Sequence, residues 1–421
     1  LIVTETTSQR APSAFANPGY RAHFATYVLA MMADNIEHVL SYWVCFQRFH
    51  SPALGGFAVL SHWLPFLMFS VSVGAMNDRR DPRRLIQAGM ALFIVASLGW
   101  GVFFVSGSRH MWQAMALLVV HGCAGVLWQT SSQVLLYDIV GPSGLPSAVR
   151  LNATARYLGV LVGPAVGGAF MLGFGVVRGI FINTVFYLPL VLWLVAAPYG
   201  HVARGGASVP KRAVRGFADI VETLREVSRL PVLGTMIVLA GGASFFVGNS
   251  YQAQMPKFAT DLGHGDPGVA YSALLAADAA GALVAGITLE LRGGAFLPVR
   301  PRSAILLATV WSTALAAFAL CRWYPLALLL LFCAGFSELS WSSMTQALVQ
   351  LNAPDQSRGR VLGLFNMAAL GLRAGSGIMV GLVGSVIGVH ASLAGAALTL
   401  GAILLVLGQR AAVADREAEP S

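Results

Sequence analysis

The chain has 421 residues, 56% of them hydrophobic and only 11% charged, with a formal net charge of +9. A soluble domain averages about 25% charged residues, so this composition excludes an ordinary water-soluble fold. The positive charge sits in short stretches between apolar runs, which argues against a nucleic-acid footprint and marks it as a topology signal.

One helix rising about 1.5 Å per residue crosses a bilayer with roughly 20 apolar residues. Twelve stretches meet this requirement: residues 20–47, 52–75, 84–106, 111–139, 150–173, 175–197, 230–257, 268–290, 302–321, 324–351, 359–384 and 388–408. They are too long, and alternate too little, to be strands of a membrane barrel. The fold class is an all-α membrane protein with twelve transmembrane helices. Residues 1–19 form a polar tail leading into a segment too long for a signal-peptide core, so the first helix is expected to remain.

The first helix carries Asp34, Asn35, Glu37, His38 and Ser41. Positions 34, 37, 38 and 41 share one face, and Asp34 lies about 21 Å from the inner end, near the midplane. An acid at that depth costs a few kcal/mol and usually lines a path for protons or substrate. Two carboxylates three residues apart repel when both are ionised, so Asp34 and Glu37 are expected to exchange a proton, with His38 beside them. The alternative is a structural cluster in which an acid neutralises Arg373. The turn after the second helix reads Gly74-Ala-Met-Asn-Asp78-Arg79-Arg80-Asp81-Pro82-Arg83-Arg84. A carboxylate here caps a neighbouring helix N-terminus or pairs with a cation.

The fourth helix places Gln129 and Gln133 on one face beside Trp128, with Asp138 at its inner end. Arg156 in the fifth is expected to snorkel or to pair with Asp138. The run from Gly159 through Gly163, Pro164, Gly167 and Gly168 allows close helix approach and a bend. Residues 198–229 form a linker containing six Lys or Arg and the breakers Gly205, Gly206 and Pro210. Within it Phe217, Ile220, Val221, Leu224 and Val227 recur at helical spacing, predicting a short amphipathic helix on the inner surface. It separates two bundles, residues 20–197 and 230–408, and residues 409–421 form a second tail.

In the second bundle the polar residues at depth are Asn249 and Gln252 on one face of the seventh helix, Asp278 among small residues of the eighth, Glu338 and Trp341 in the tenth, and Arg373 in the eleventh. The stretch SSQVLLYDIVGPSGLPSAVRLN resembles SMTQALVQLNAPDQSRGRVLGLFN roughly 210 residues later, as expected of duplicated halves. With both termini in the cytoplasm, 20 of the 27 Lys and Arg fall on the inner side, five (Arg48, Arg109, Arg178, Lys257, Arg322) on the outer side and two (Arg156, Arg373) inside helices. That bias sets the orientation. Arg outnumbers Lys 25 to 2, which fits a GC-rich bacterial genome and hence a bacterial inner membrane. The four cysteines show no CxxC or His-paired spacing, so no disulfide, metal site or cofactor is expected.

Three motifs resemble those of the major facilitator superfamily. The Gly74, Asp78, Arg79 and Arg83 turn resembles its cytoplasmic signature, although Asp81 stands where Gly is usual and Pro82 where Arg is common. The second-half copy, Gly286 to Glu290 and Arg292, is degenerate. The Gly163-Pro164 run resembles the family's antiporter motif. The turn Asp355-Gln-Ser-Arg358-Gly-Arg360 resembles the branch of enterobactin exporters and macrolide or multidrug efflux pumps. The resemblance implies two pseudo-symmetric six-helix bundles, with gating by Gly74, Asp78, Arg79, Arg83, Asp138, Gly163, Pro164, Arg358 and Arg360. It implies a central cavity lined by the first, fourth, seventh and tenth helices, which would gather Asp34, Glu37 and Glu338 around one site with Arg373 as counter-ion. One departure stands out: the fourth helix lacks the internal Arg of many drug–proton antiporters and has His121 before Gly122.

The function expected is proton-coupled export of an amphipathic small molecule by a monomer. Proton coupling is assigned to Asp34, Glu37, His38, Asp278 and Glu338, and substrate binding to Gln129, Gln133, Asn249, Gln252, Glu338, Trp341 and Arg373. Uptake of a polar nutrient or organic anion, with Arg373 on a substrate carboxylate, is the alternative; a lipid transporter or non-transporting sensor is a third. No phosphate-binding GxxxxGK[ST] loop and no nucleophile–base pair is present, so an enzyme is not expected.

Overall fold

The computed structural model describes residues 12–50, 52–200, 214–263, 269–292 and 297–418. The linker breakers Gly205, Gly206 and Pro210, and the outermost parts of both tails, lie outside the described residues. The described chain is helical, without strands. The helices are α1 Pro18–Phe49, α2 Pro52–Asn77, α3 Pro82–Ser106, α4 111–140, α5 142–174, α6 176–196, α7 Phe217–Ser228, α8 Pro231–Phe246, α9 Val269–Arg292, α10 Pro301–Leu320, α11 Tyr324–Asn352, α12 Arg358–Ile387 and α13 Val389–Ala418. All but α7 belong to the twelve spans expected. Among the described residues ten stretches qualify outright by length and apolarity. Two of them run through sharp turns, and α1 is diluted by its own mid-length polar residues.

Proline opens α1, α2, α3, α8 and α10, at the position where a missing amide costs nothing. Asp81 caps α3 by accepting the Arg83 amide at 3.0 Å. The chain reverses between α4 and α5 at Gly141 alone (φ 66°, ψ 179°), and between α5 and α6 at Gly175 (φ 74°, ψ 162°). Only glycine adopts such angles without strain. The stretch after residue 140, expected as a turn reaching to 149, is therefore mostly helix: Pro142 opens α5, where proline is tolerated, and Pro146 lies in its second turn.

Three further expectations change. The seventh span is not one helix over 230–257: α8 breaks after Phe246, and the chain continues as the short turns Ser250–Ala253 and Met255–Asp261. Gly248 (φ 49°) makes the break, and a Cβ there would collide with Ser376 of α12. The last helix runs on to Ala418 instead of ending at 408, because residues 409–418 are mostly good helix formers. The linker helix α7 docks its polar edge on the start of α12, through Ser357 to Glu226 at 2.5 Å and Arg360 to Glu222 at 3.4 Å. Asp219, Thr223 and Val227 are buried while Phe217 stays 76% exposed. Its apolar side therefore does not all face the bundle.

Each bundle has its own core. Trp128, Phe93, Tyr187 and Leu190 fill one part of the first, and Ile36, Leu40 and Trp100 another. Trp311, Phe258, Phe318 and Leu331 fill the second. The two meet along α2 and α12, where Gly359, Gly363 and Gly371 press on the backbone at Gly74, Ser70 and Leu67, and along α5 and α9, where Gly286 presses on Thr154. Small residues allow this approach, and the packing it brings drives helix association in lipid.

Candidate functional site

At the end rich in basic residues the halves are pinned by two equivalent acids. Asp78, at the end of α2, accepts the amides of Gly359 at 2.6 Å and Arg360 at 3.1 Å, capping α12. A Cβ at Gly359 would strike the Gly74 carbonyl, so both glycines are needed for the approach. Glu290 of α9 likewise accepts Ser13 at 2.6 Å, Ser147 at 2.7 Å and Arg150 at 3.1 Å. The second copy, degenerate in sequence, thus keeps a glycine followed four residues later by an acid that bonds across to the other half. Arg358 lies 3.6 Å over the Tyr137 ring and 2.6 Å from Asp355. Gln133 donates to Asn366 at 2.9 Å, and Asn366 to Thr130 at 3.2 Å. Gln133 therefore spans the halves near the basic end.

Arg83 does not reach Asp78. It pairs with Asp81 at 2.6 Å and bonds the Ala197 carbonyl, tying α3 to the end of α6. Arg79 and Asp138 are half-buried. Gly163 packs on Asn35 of α1, flanked by Gly159 and Gly167 on the same helix. The Pro164 side chain lies outside the described residues.

At mid-depth the acids form two clusters, not one. In the first half Glu37, 1% exposed, accepts bonds from Ser97 of α3 and, at 3.5 Å, from Tyr187 of α6. His121 of α4 lies between the acids, its Nδ1 2.8 Å from Glu37 Oε1 and its Nε2 2.9 Å from Asp34 Oδ1. It stands where many drug–proton antiporters of the resembled family carry an arginine. His38 bonds the Asp34 carbonyl oxygen through Nδ1 at 2.7 Å. His38 and His62 of α2 both face His121, with ring centroids 4.6 and 5.9 Å from it.

In the second half Tyr251 donates to Asp278 at 3.1 Å and lies 3.4 Å from Glu338, so both acids face one hydroxyl. Gln252 adds a bond to Asp278 at 3.0 Å. The break after α8 turns Tyr251 and Gln252 onto Asp278. Close packing of α9 on α11, where a Cβ at Gly335 would meet the Asp278 carbonyl, sets the acids side by side.

Arg373 lies between the clusters. It stacks over Trp63 of α2 at 4.8 Å, acts electrostatically on Glu338 and His62, and its Nε is buried without a partner. The helix around it widens into π-turns at Met367–Gly371 and Gly377–Leu382, a feature frequent at functional sites. Arg156 reaches Glu338 and Arg373 electrostatically, from the centre of the molecule, instead of snorkelling outward. Gln129 and Asn249 are half-buried, and Trp341 packs on Trp311 in the core of the second half.

Sequence reasoning singled out Asp34, Glu37, His38, Asp278, Glu338 and Arg373 but assigned no role to His62, Ser97, Tyr187, Tyr251 or Tyr157 of α5, which hydrogen-bonds Glu338. Each acts from a different helix, so no local spacing marks it. His121 was visible only as a departure from the family pattern.

Comparison with known proteins identifies the family and the fold. Residues 22–377 match the family described as the Major Facilitator Superfamily. The multidrug efflux pump Tap of Mycobacterium tuberculosis (strain ATCC 25618 / H37Rv) is 27% identical over 398 residues, covering 91% of each chain. Tap of Mycolicibacterium fortuitum is 26% identical over 385 residues, covering 87% of this chain and 88% of the relative. Among solved structures, the transporter FucP in its outward conformation superposes with a TM-score of 0.73 at 12% identity, over 93% of this chain and 98% of that one.

Proposed function

Since the chain belongs to the Major Facilitator Superfamily, and is thus a multi-pass membrane transporter, we propose that it exports an amphipathic small molecule in exchange for protons. The buried Asp278 and Glu338 pair, facing the single Tyr251 hydroxyl, carries this reading. Two carboxylates this close repel when both are ionised and so share a proton readily. Arg373 and Arg156 lie within electrostatic reach, so the local charge changes when that proton leaves. Aromatic surface (Trp63, Tyr157) next to these charges suits a ligand with apolar and ionic parts. Likeness to multidrug efflux pumps along nine-tenths of both chains supports export.

The arginine bias puts the basic end in the cytoplasm of a bacterial inner membrane. The seal there, held by Asp78 and Glu290, then fits a state closed to the cytoplasm. In it the acid pair takes a proton from outside as substrate leaves. After the seal opens, the proton is lost inward and substrate rebinds.

The test is internal pH in proteoliposomes during transport of amphipathic cations. Asp278→Asn and Glu338→Gln should each abolish substrate-driven proton movement while substrate exchange without a gradient persists. Coupled proton movement of normal size in both variants would sink the reading. A second reading, uptake of an organic anion, is favoured by the unpartnered Nε of buried Arg373, which offers a donor to a carboxylate. Net inward flux of organic acids, lost in Arg373→Ala, would select it.

A further inference from the structure

We propose that His38, His62 and His121, with Asp34, form a binding site for a divalent transition-metal ion of the zinc class. The sequence gives no hint of it, because each histidine comes from a different helix. Among the described residues these three histidines are a group able to hold a metal, with one ligand atom from each lying within 4.8 Å of the others. Zinc bound tetrahedrally at about 2.0 Å holds its ligand atoms about 3.3 Å apart, so small side-chain rotations complete the site.

The surroundings are those of a ligand set. A metal-binding histidine usually gives its second N–H to a carbonyl or carboxylate, which fixes ring and tautomer. His38 does this through Nδ1 to the Asp34 carbonyl, and His121 through Nδ1 to Glu37. Each is left with Nε2 as its ligand atom. His121 Nε2 points at Asp34 Oδ1, 2.9 Å away, which sets a carboxylate beside the histidine group, to be brought in as fourth ligand by side-chain rotation. His62 Nδ1 is buried without a hydrogen-bond partner. Packing alone does not account for three imidazoles at this depth, since phenyl rings would fill the space without unpaired nitrogens. A small cavity lined by His38, His62 and His121, with Ser41, Ser61 and Tyr42 at its side, has room for about one water-sized particle, and so for a single ion. Three imidazoles and one carboxylate favour Zn²⁺, Co²⁺ or Ni²⁺ over Mg²⁺ and Ca²⁺, which demand oxygen ligands.

The experiment uses the full chain, purified without a histidine tag and titrated with Co²⁺ under visible spectroscopy, then back-titrated with Zn²⁺. The expected result is one Co²⁺ per chain with tetrahedral-type bands, erased by Zn²⁺. His38→Ala and His62→Ala should each weaken binding at least tenfold, and Glu37→Gln, which weakens the support of His121 without removing a ligand, by about 10–100-fold. His390→Ala, altering the separate pair with Asp261, should change nothing. Absence of stoichiometric binding in the wild type overturns the proposal, as does binding indifferent to His38 and His62 or lost in His390→Ala. Should an alanine variant aggregate, His62→Gln replaces it, and the wild-type stoichiometry stands as an independent criterion. No transport substrate or gradient enters the measurement, so its outcome is separate from that of the exporter reading.

Discussion

Glu37 is held by three other helices at once, through Ser97, His121 and Tyr187. Truncation to alanine leaves these donors facing an acceptorless gap and removes one partner of a buried charge. That class of change costs about 3–5 kcal/mol. Glu37→Ala should therefore lower the thermal midpoint of the detergent-purified protein markedly, and Glu37→Gln, which keeps an acceptor, much less. Equal midpoints for both variants and wild type would show that the network is dispensable. At this scale the sequence was half legible. Spacing on α1 brings Asp34, Glu37 and His38 to one face, and their depth follows from counting residues. The partners of Glu37 lie 60, 84 and 150 positions away, and no periodicity encodes a contact of that range. Pairing of Asp278 with Glu338 was equally hidden, since it rests on Tyr251 and on a break in an apolar run that reads as continuous.

Among elements, the crossing of α2 on α12 carries the most consequence. Its contacts are backbone to backbone at Gly74–Gly359 and carboxylate to amide at Asp78. Asp78→Ala removes an N-cap worth about 1 kcal/mol and one side of the seal. Gly359→Val adds bulk that the Gly74 carbonyl cannot yield to. Both should expose a cysteine placed at Asn366 to membrane-impermeant thiol reagent from the basic side, with labelling several times faster than in the parent. Unchanged labelling in both would mean the seal rests elsewhere. The signature turn was readable because glycine and aspartate each have a specific job there. The stretch after Gly141 misled for a related reason: its prolines and glycines resemble a loop, yet prolines in an opening helical turn are harmless.

For the whole molecule, the twelve spans and their division into two bundles followed from apolar run lengths and from the repeat between residues 131–152 and 343–366. The pseudo-symmetry runs deeper than sequence comparison reveals. Asp78 reaching α12 and Glu290 reaching α5 are the same device in mirrored positions. Each half carries a glycine and an acid four residues apart, Gly74 with Asp78 and Gly286 with Glu290, amid different flanking residues. What the sequence could not convey is the separation of the polar centre into two clusters with Arg373 between them. That arrangement depends on how the bundles face each other, and no segment taken alone carries it.

The single-residue reversals at Gly141 and Gly175 have a mechanical consequence. A loop of several residues is slack that lets neighbouring rods swivel independently. One glycine per corner leaves none, so α4, α5 and α6 behave like the legs of a folded carpenter's rule, each tilt passed to the next. The other bundle has its give built in, at the interruption after Phe246 and in the wide turns flanking Arg373. One half is then the stiff arm and the other the compliant one. Amide hydrogen exchange would register the difference: residues 246–256 and 367–382 should exchange well ahead of 111–185, and uniform protection across both would show that rocking is shared equally.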